Sequence, residues 1–347
     1  MLREFPDSLD DGTGGPGPDG RSWLAGVGFH RLTEVQVVEH ILAASRAGRG
    51  GWVATPNIDI CRQFQHDEAL HRLVASASLI VPDGMPLIWA AKLVREPLPE
   101  RVTGASLIFS LTEAAARQQR TIYLLGGAPG VPERAGEELR RRYPGLIVAG
   151  TDAPPVGFDA DPQAVSAVRA NLAATAPDIV YVGLGFPKQE RLIARLAPFF
   201  PATWFISCGA AIPFAANVLP RAPKWMQSTG LEWAFRLLSE PRRLYRRYLL
   251  HDLPFAVRLL AVSTGVRLGK AGEGARVEQT NLECHPLRTE FQPGKMDSSF
   301  IADSSAGHQL PRATPNHVAA EPFPAPSPLP RGLMPASQEG APPDGHG

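Results

Sequence analysis

Six short apolar runs recur along the chain, at 51–54, 79–81, 121–125, 146–148, 179–182 and 203–207, each too short for a helix. The segments between them carry apolar residues at helical spacing instead. "RLTEVQVVEHILAASRAG" puts Val35, Val38 and Ile41 on one face, and its Thr33 and Gln36 stand at the spacing of a capping box. "ASLIFSLTEAAARQQ", "PERAGEELRRRY", "DPQAVSAVRANLAA" and "KQERLIARLAP" also read as helices. Strands that stay apolar without alternation are buried on both faces. The pattern therefore predicts a parallel sheet flanked by helices, a Rossmann-like α/β fold.

In such a fold ligands sit beyond the carboxyl ends of the strands. Thr55, Asn57, Asp83, Gly126 and the stretch 183–189 all fall at those ends. The first of them poses a choice. "TPNIDI" leaves its strand through Thr55, Asn57 and Asp59, short polar side chains that either cap the next helix or hold a ligand at the sheet edge.

Composition divides the chain of 347 residues further. Residues 1–24 are rich in Gly, Pro and Asp, and the tail 269–347 is Pro-rich without hydrophobic period, so both are expected to be disordered. Between them lie a Rossmann-like core, 25–219, and a basic amphipathic helical appendage, 220–268. An apolar fraction of 44% suffices for a core, and a net charge of +1 argues against a whole-chain polyanion binder. The three cysteines, Cys61, Cys208 and Cys284, are widely spaced without CxxC, which excludes a disulfide framework or structural zinc and fits a reducing compartment. The first residues have no apolar signal core, and no window of about 18 uncharged apolar residues occurs. A cytoplasmic protein is the simplest expectation.

Each motif has a bland and a chemical reading. "YLLGGAPG", with Gly126, is a strand entering a glycine turn, but it lacks the full dinucleotide fingerprint and an acid to read a ribose; a plain strand–helix turn explains it as well. In "YVGLGFPKQERLI", Gly183 and Gly185 free the backbone, Pro187 suits a helix's first turn, and Lys188 and Gln189 project from that end. This is either a diphosphate cradle or a capped helix with Lys188 in solvent. Asp83 in "VPDGMP" is either an Asx-type turn or a carboxylate held as general base. In "GFDADPQAV", Asp159 and Asp161 resemble a metal-binding DxD, yet Asp161 stands where a helix needs its cap, so no metal site is expected.

Residues 221–270 hold ten Lys/Arg against three Asp/Glu, a local net of +7, with Trp225, Trp233, Phe235, Tyr245 and Tyr248 interleaved. Basic residues beside aromatic and leucine faces describe helices in an anionic membrane interface. No nucleic-acid-binding motif accompanies the charge, so nucleic acid is not expected as a partner.

Taken in order, "TPNIDI", "VPDGMPLIWAAKL", "PERVTGASLI", "VGLGFPKQE" and "RAPKWMQSTGLEWAFRLLSEPRRLYRRYL" resemble the WecG/TagA/CpsF family of bacterial glycosyltransferases, glycosyltransferase family 26, over about 27–248. The resemblance implies inverting, metal-independent transfer of a sugar from a UDP-sugar donor to a polyprenyl-diphosphate-linked acceptor, with no cofactor. It implies active-site roles for Thr55 and Asn57, a catalytic base in Asp83, and sugar-nucleotide contacts from Arg101 and Gln189. The basic appendage would dock on the inner face of the cell membrane and close over the site, with Arg236, Arg243 and Arg246 facing the diphosphate. A homo-oligomer away from the membrane is left open. UDP-N-acetylmannosamine is the default donor, with UDP-glucose or UDP-glucuronate as alternatives. One departure stands out: "CGAAIPFAAN" has Pro213 where the family usually carries an aspartate between aromatic residues. Two other functions stay open on the residues: an NAD-linked oxidoreductase, and a non-catalytic membrane-docking sensor of a nucleotide sugar.

Overall fold

Successive side chains of a strand face opposite sides of its sheet, and here both sides are covered. The computed structural model describes residues 20–267; the segment before it and the Pro-rich tail lie outside the described residues. A hairpin comes first, β1 (Arg21–Leu24) and β2 (Val27–His30), turned through Ala25 and Gly26, both at positive φ. There follow α1 (Glu34–Arg46), β3 (Gly51–Ala54), α2 (Ile58–Phe64), α3 (Glu68–Ala75), β4 (Leu79–Ile80), α4 (Met85–Leu93), α5 (Gly104–Arg117) and β5 (Thr121–Leu125). Next are α6 (Val131–Arg142), β6 (Ile147–Asp152), α7 (Pro162–Thr175), β7 (Ile179–Val182), α8 (Lys188–Leu196), β8 (Trp204–Ser207) and α9 (Ala211–Ala215). The appendage consists of α10 (Lys224–Ser228), α11 (Glu232–Ser239), α12 (Pro241–Tyr245), a π-helical stretch Arg246–Asp252, and α13 (Leu253–Arg267).

Strands β3 to β8 form one six-stranded sheet in the order β4-β3-β8-β7-β5-β6, every neighbouring pair parallel. Alternation sorts the core into two layers. Trp52, Tyr123, Val180, Val182 and Phe205 pack one way, against Phe64 of α2, Val74 of α3, Leu87 of α4 and Ile193 of α8. Val53, Leu124, Ile179, Tyr181, Trp204 and Ile206 pack the other way, against Ile41 of α1, Leu107 of α5, Leu139 of α6 and Ile212 of α9. The Rossmann-like α/β expectation holds, as do the predicted caps. Thr33 Oγ1 accepts from the Gln36 amide while Gln36 Oε1 accepts from the Thr33 amide, and Asp161 Oδ1 accepts from the Gln163 amide at the start of α7.

Two boundaries differ from the sequence reading by more than one residue. Strand β1 takes in residues 21–24, read above as part of a loose N-terminal segment; Trp23 and Leu24 pair with Gly28 and Val27, and Leu24 is buried. Strand β6 runs on to Asp152, because its pairing with β5 continues past an irregularity at Ile122 and Tyr123. The appendage, for its part, is packed on the core: Ala256 and Leu259 of α13 belong to the same apolar layer as α2 and α4.

Candidate active site

Three loops meet at the carboxyl ends of β3 and β4, and backbone hydrogen bonds stitch them together. The Asp83 amide donates to the Pro56 carbonyl at 3.0 Å, and the Val102 amide to the Pro82 carbonyl at 3.0 Å. "TPN", "VPD" and "ERV" are thus held side by side, which brings Thr55, Asn57, Asp83 and Arg101 to one place. Thr55 Oγ1, nearly buried, donates to the Ser207 carbonyl at 3.1 Å and ties the end of β3 to that of β8. Asn57 caps α2, its Oδ1 accepting from the Ile60 amide at 3.1 Å. In these resting contacts both side chains brace the loops.

Along the sheet, Gln189 does similar bracing. Its side chain is buried; Oε1 accepts from the Gly185 amide at 3.2 Å and the Gly209 amide at 3.1 Å, so one carbonyl clamps the loops after β7 and β8. Its Nε2 donates to Glu190 Oε1 at 2.9 Å, which fixes which end of the amide points where. Burial raises the Glu190 carboxyl above the usual range, against the hydrogen bonds that it accepts. This geometry differs from the diphosphate cradle weighed in the sequence. The Gly185 amide is taken by Gln189, Lys188 is half-exposed with its Nζ 3.7 Å from Asp159, and Pro187 is the residue just before α8 rather than in its first turn. Gly126 also has a packing reason. At φ +113°, a Cβ there would lie 2.7 Å from the Gly183 carbonyl oxygen, and its amide already donates to Asp152 O at 2.8 Å.

The appendage forms a charged roof over Asp83. Both Nη atoms of Arg101 lie 3.2 Å from Glu232 Oε2 of α11, Nη2 also donates to the Gln227 carbonyl at 3.1 Å, and Nη1 stands 4.0 Å from Asp83. Arg221 Nε approaches the other oxygen of Glu232 at 3.7 Å. On the far side, Arg247 Nε lies 3.1 Å from Asp59 and 3.6 Å from Asp252, with Arg62 on the same two carboxylates. Gly230 presses on the Asp83 turn itself: at φ +77°, a Cβ there would come within 2.0 Å of Met85 Cγ.

Burial pushes the Asp83 carboxyl up to about 6; Arg101 pulls it down, Glu232 pushes it up, and Arg236 and Arg247 pull it down. Asp83 nonetheless keeps 30% of its side chain open to solvent. A carboxylate near 6, reachable from outside and ringed by guanidinium groups, can take a proton beside a polyanion. Arg236 has its Nε buried without a hydrogen-bond partner, its guanidinium 5.8 Å from the Phe214 ring. Asp252 is raised to about 6 by burial and by the Asp59 carboxylate, against Arg247 and Arg62.

Comparison with known proteins gives the family. The model of the glycosyl transferase WecG/TagA/CpsF family matches residues 22–267, most of the chain. The chain belongs to the WecG/TagA/CpsF family. Among its curated relatives, an N-acetylglucosaminyldiphosphoundecaprenol N-acetyl-beta-D-mannosaminyltransferase of Bacillus spizizenii is 30% identical over 201 residues, 58% of this chain and 76% of the relative. A protein of the same name from Staphylococcus aureus is 29% identical over 225 residues, covering 64% and 86%. Membership makes this WecG/TagA/CpsF protein a glycosyl transferase, and the NAD-linked and non-catalytic readings give way to it.

Measured against the sequence reading, Thr55, Asn57, Asp83, Arg101 and Arg236 are brought together. Gly126, Gly185, Lys188 and Gln189 line the neighbouring loops. Arg246 is exposed, and it is Arg247 whose charge acts on Asp83; the Arg243 side chain lies outside the described residues. The sequence reading also passed over Glu232, Arg221 and the Asp59–Asp252 pair. Glu232 had a signal, being an acid inside a basic motif. Among the described residues no group of three His, Cys, Asp or Glu side chains is arranged to hold a metal ion, and no helix is long and apolar enough to cross a membrane. A cavity of about 1010 Å³ between α5, α6 and α9 is lined by neither Asp83 nor Thr55 nor Asn57.

Proposed function

We propose that the chain transfers a sugar from a UDP-sugar to a polyprenyl-diphosphate-linked saccharide at the inner face of the cell membrane, with inversion and without a metal. The relatives' names give N-acetylmannosamine as the sugar and N-acetylglucosaminyldiphosphoundecaprenol as the acceptor. UDP-N-acetylmannosamine is accordingly the first donor to try, with UDP-glucose and UDP-glucuronate next. The observation that carries this reading is Asp83, near pH 6 in its titration and surrounded by Arg101, Arg236 and Arg247.

In the proposed step, Asp83 takes the proton of an acceptor hydroxyl, whose oxygen attacks the anomeric carbon of the donor. The bond from that carbon to the UDP oxygen breaks on the opposite face, and the departing diphosphate carries away the electron pair. Its growing negative charge is met by fixed guanidinium groups rather than by water. Exposed Trp225, Trp233, Leu238 and Leu250, interspersed with Arg242 and Arg246, give the appendage a surface suited to an anionic bilayer. The test is UDP release by purified protein across these three donors, with a synthetic lipid-diphosphate N-acetylglucosamine as acceptor. Release that depends on both donor and lipid supports the reading; equal release without acceptor overturns it.

A further inference from the structure

Glu232 is the acid of α11 that faces Arg101 and Arg221 from the roof. It is nearly buried, at 7% exposure, and it is the buried residue of α11. A buried carboxylate is costly unless paired, and Glu232 is paired twice: Arg101 brings both Nη atoms to one oxygen at 3.2 Å, and Arg221 approaches the other at 3.7 Å. Arg101 therefore has one face on the appendage and Nη1 turned toward Asp83 at 4.0 Å. Its long side chain has several rotamers available when unheld, and the two contacts to Glu232 together with the Gln227 carbonyl leave it one.

We propose that Glu232 is a positioning residue for the transfer: by holding the Arg101 fork against the roof, it sets where that guanidinium stands relative to Asp83 and the donor diphosphate. The inference rests on the function proposed above and goes beyond it, because it gives the appendage an acidic part in the chemistry besides its basic part at the membrane. With Glu232 in place, Arg101 cannot swing fully onto Asp83 and neutralise the base. The charges facing Asp83 come from three directions: Arg101 before α5, Glu232 and Arg236 on α11, and Arg247 on the π-helical stretch, beside the Tyr248 hydroxyl. Of these Glu232 is the one that keeps the Asp83 carboxyl high.

The test is Glu232→Gln in the full chain, with Glu232→Asp beside it. The glutamine variant should bind anionic vesicles as the parent does but turn over between about tenfold and 10²-fold more slowly, as expected when a charged group is misplaced by an ångström or so. Its rate should also begin to fall at a lower pH on the acid side, since loss of the Glu232 charge and release of Arg101 both lower the Asp83 pKa. The aspartate variant should retain the parent's acid limb and recover part of the rate. Unchanged turnover with an unmoved acid limb in Glu232→Gln would overturn the proposal. So would a loss of vesicle binding in proportion to turnover, which would make Glu232 a fastener of the appendage only. Failure of the underlying base assignment looks different: Asp83→Asn would then keep turnover.

Discussion

Thr55, Asn57 and Gln189 hold the floor of the site with neutral hydrogen bonds to backbone, whereas Arg101, Glu232, Asp59 and Arg247 hold the roof with charges. The two kinds of fastening respond to different conditions. A neutral hydrogen bond to a buried carbonyl does not titrate between pH 5 and 8 and is barely screened by salt. The ion pairs of the roof include Asp252, which titrates near 6, and partly exposed arginines whose grip weakens as the ionic strength rises. The enzyme thus has a permanent lower half and an upper half that can be loosened without disturbing it.

Removing the roof is the strongest way to break this comparison. A chain ended near Leu219 should lose binding to anionic vesicles and transfer to a long-chain lipid acceptor together, the latter by about 10²-fold or more. It should still melt cooperatively by circular dichroism, because β3 to β8 and most of both apolar layers stay, although Ala256 and Leu259 of α13 are lost from one of them. Efficient transfer by that truncated chain would show that the floor works alone.

Asp83→Asn separates chemistry from stability. Turnover should fall by roughly 10² or more, with loss of the general base, while UDP binding is kept. Stability should move the other way. The folded pKa of Asp83 is raised, so its contribution to stability is fully present below the unfolded value near 3.9 and is lost as pH rises through about 6. Asparagine does not titrate, and the melting temperature of the variant should overtake that of the parent above pH 6. Thermal melts at pH 4.5 and 7.5 check the sign.

Asn57→Ala probes the floor by itself. Loss of an N-cap costs about 1 kcal/mol, or about 2–4 °C in a domain of this size. Vesicle binding should not change, since none of the roof's ion pairs touches Asn57. Asp159→Ala should have the smallest effect. It removes a pairing at 3.7 Å with a half-exposed Lys188, worth at most about 1 kcal/mol, and leaves the Asp161 cap of α7 intact. Transfer should be unaffected by this variant and by EDTA; loss with EDTA, restored by Mg²⁺ or Mn²⁺, would give the Asp159–Asp161 pair a catalytic duty.

The floor was more legible in the sequence than the roof, for physical reasons. Runs such as 51–54 and 79–81 must be buried on both faces, so Asn57 and Asp83 could be placed at the carboxyl ends of strands, although position alone left a cap or a turn open for each. The cap at Asp161 depends only on its neighbours in sequence. The β1–β2 hairpin was missed because its turn is Ala25–Gly26, without the Asn or Asp that usually marks a two-residue turn. In the roof, the π-helical stretch inserts wider turns, the Leu253 amide reaching back to the Tyr248 carbonyl. No 3.6-residue count survives such a stretch, so no helical spacing was at hand to correct the choice of Arg246, which came from the resemblance, toward Arg247. Glu232 and the Asp59–Asp252 pair depend on contacts across many tens of residues, which no local spacing encodes.

The Arg101–Glu232 contact has a consequence for ligand design. A compound whose own carboxylate competes for that fork must first unseat a buried glutamate, so its apparent affinity is reduced by the fraction of molecules already open. A compound that leaves Glu232 seated and fills the space between Arg101, Arg236 and Arg247 meets guanidinium groups already oriented, one of them with its Nε unpartnered. Selectivity would then come from the roof rather than the floor: parallel sheets with ligand loops at their carboxyl ends are widespread among nucleotide-binding folds, while the pairing of Glu232 with Arg101 and Arg221 depends on the appendage.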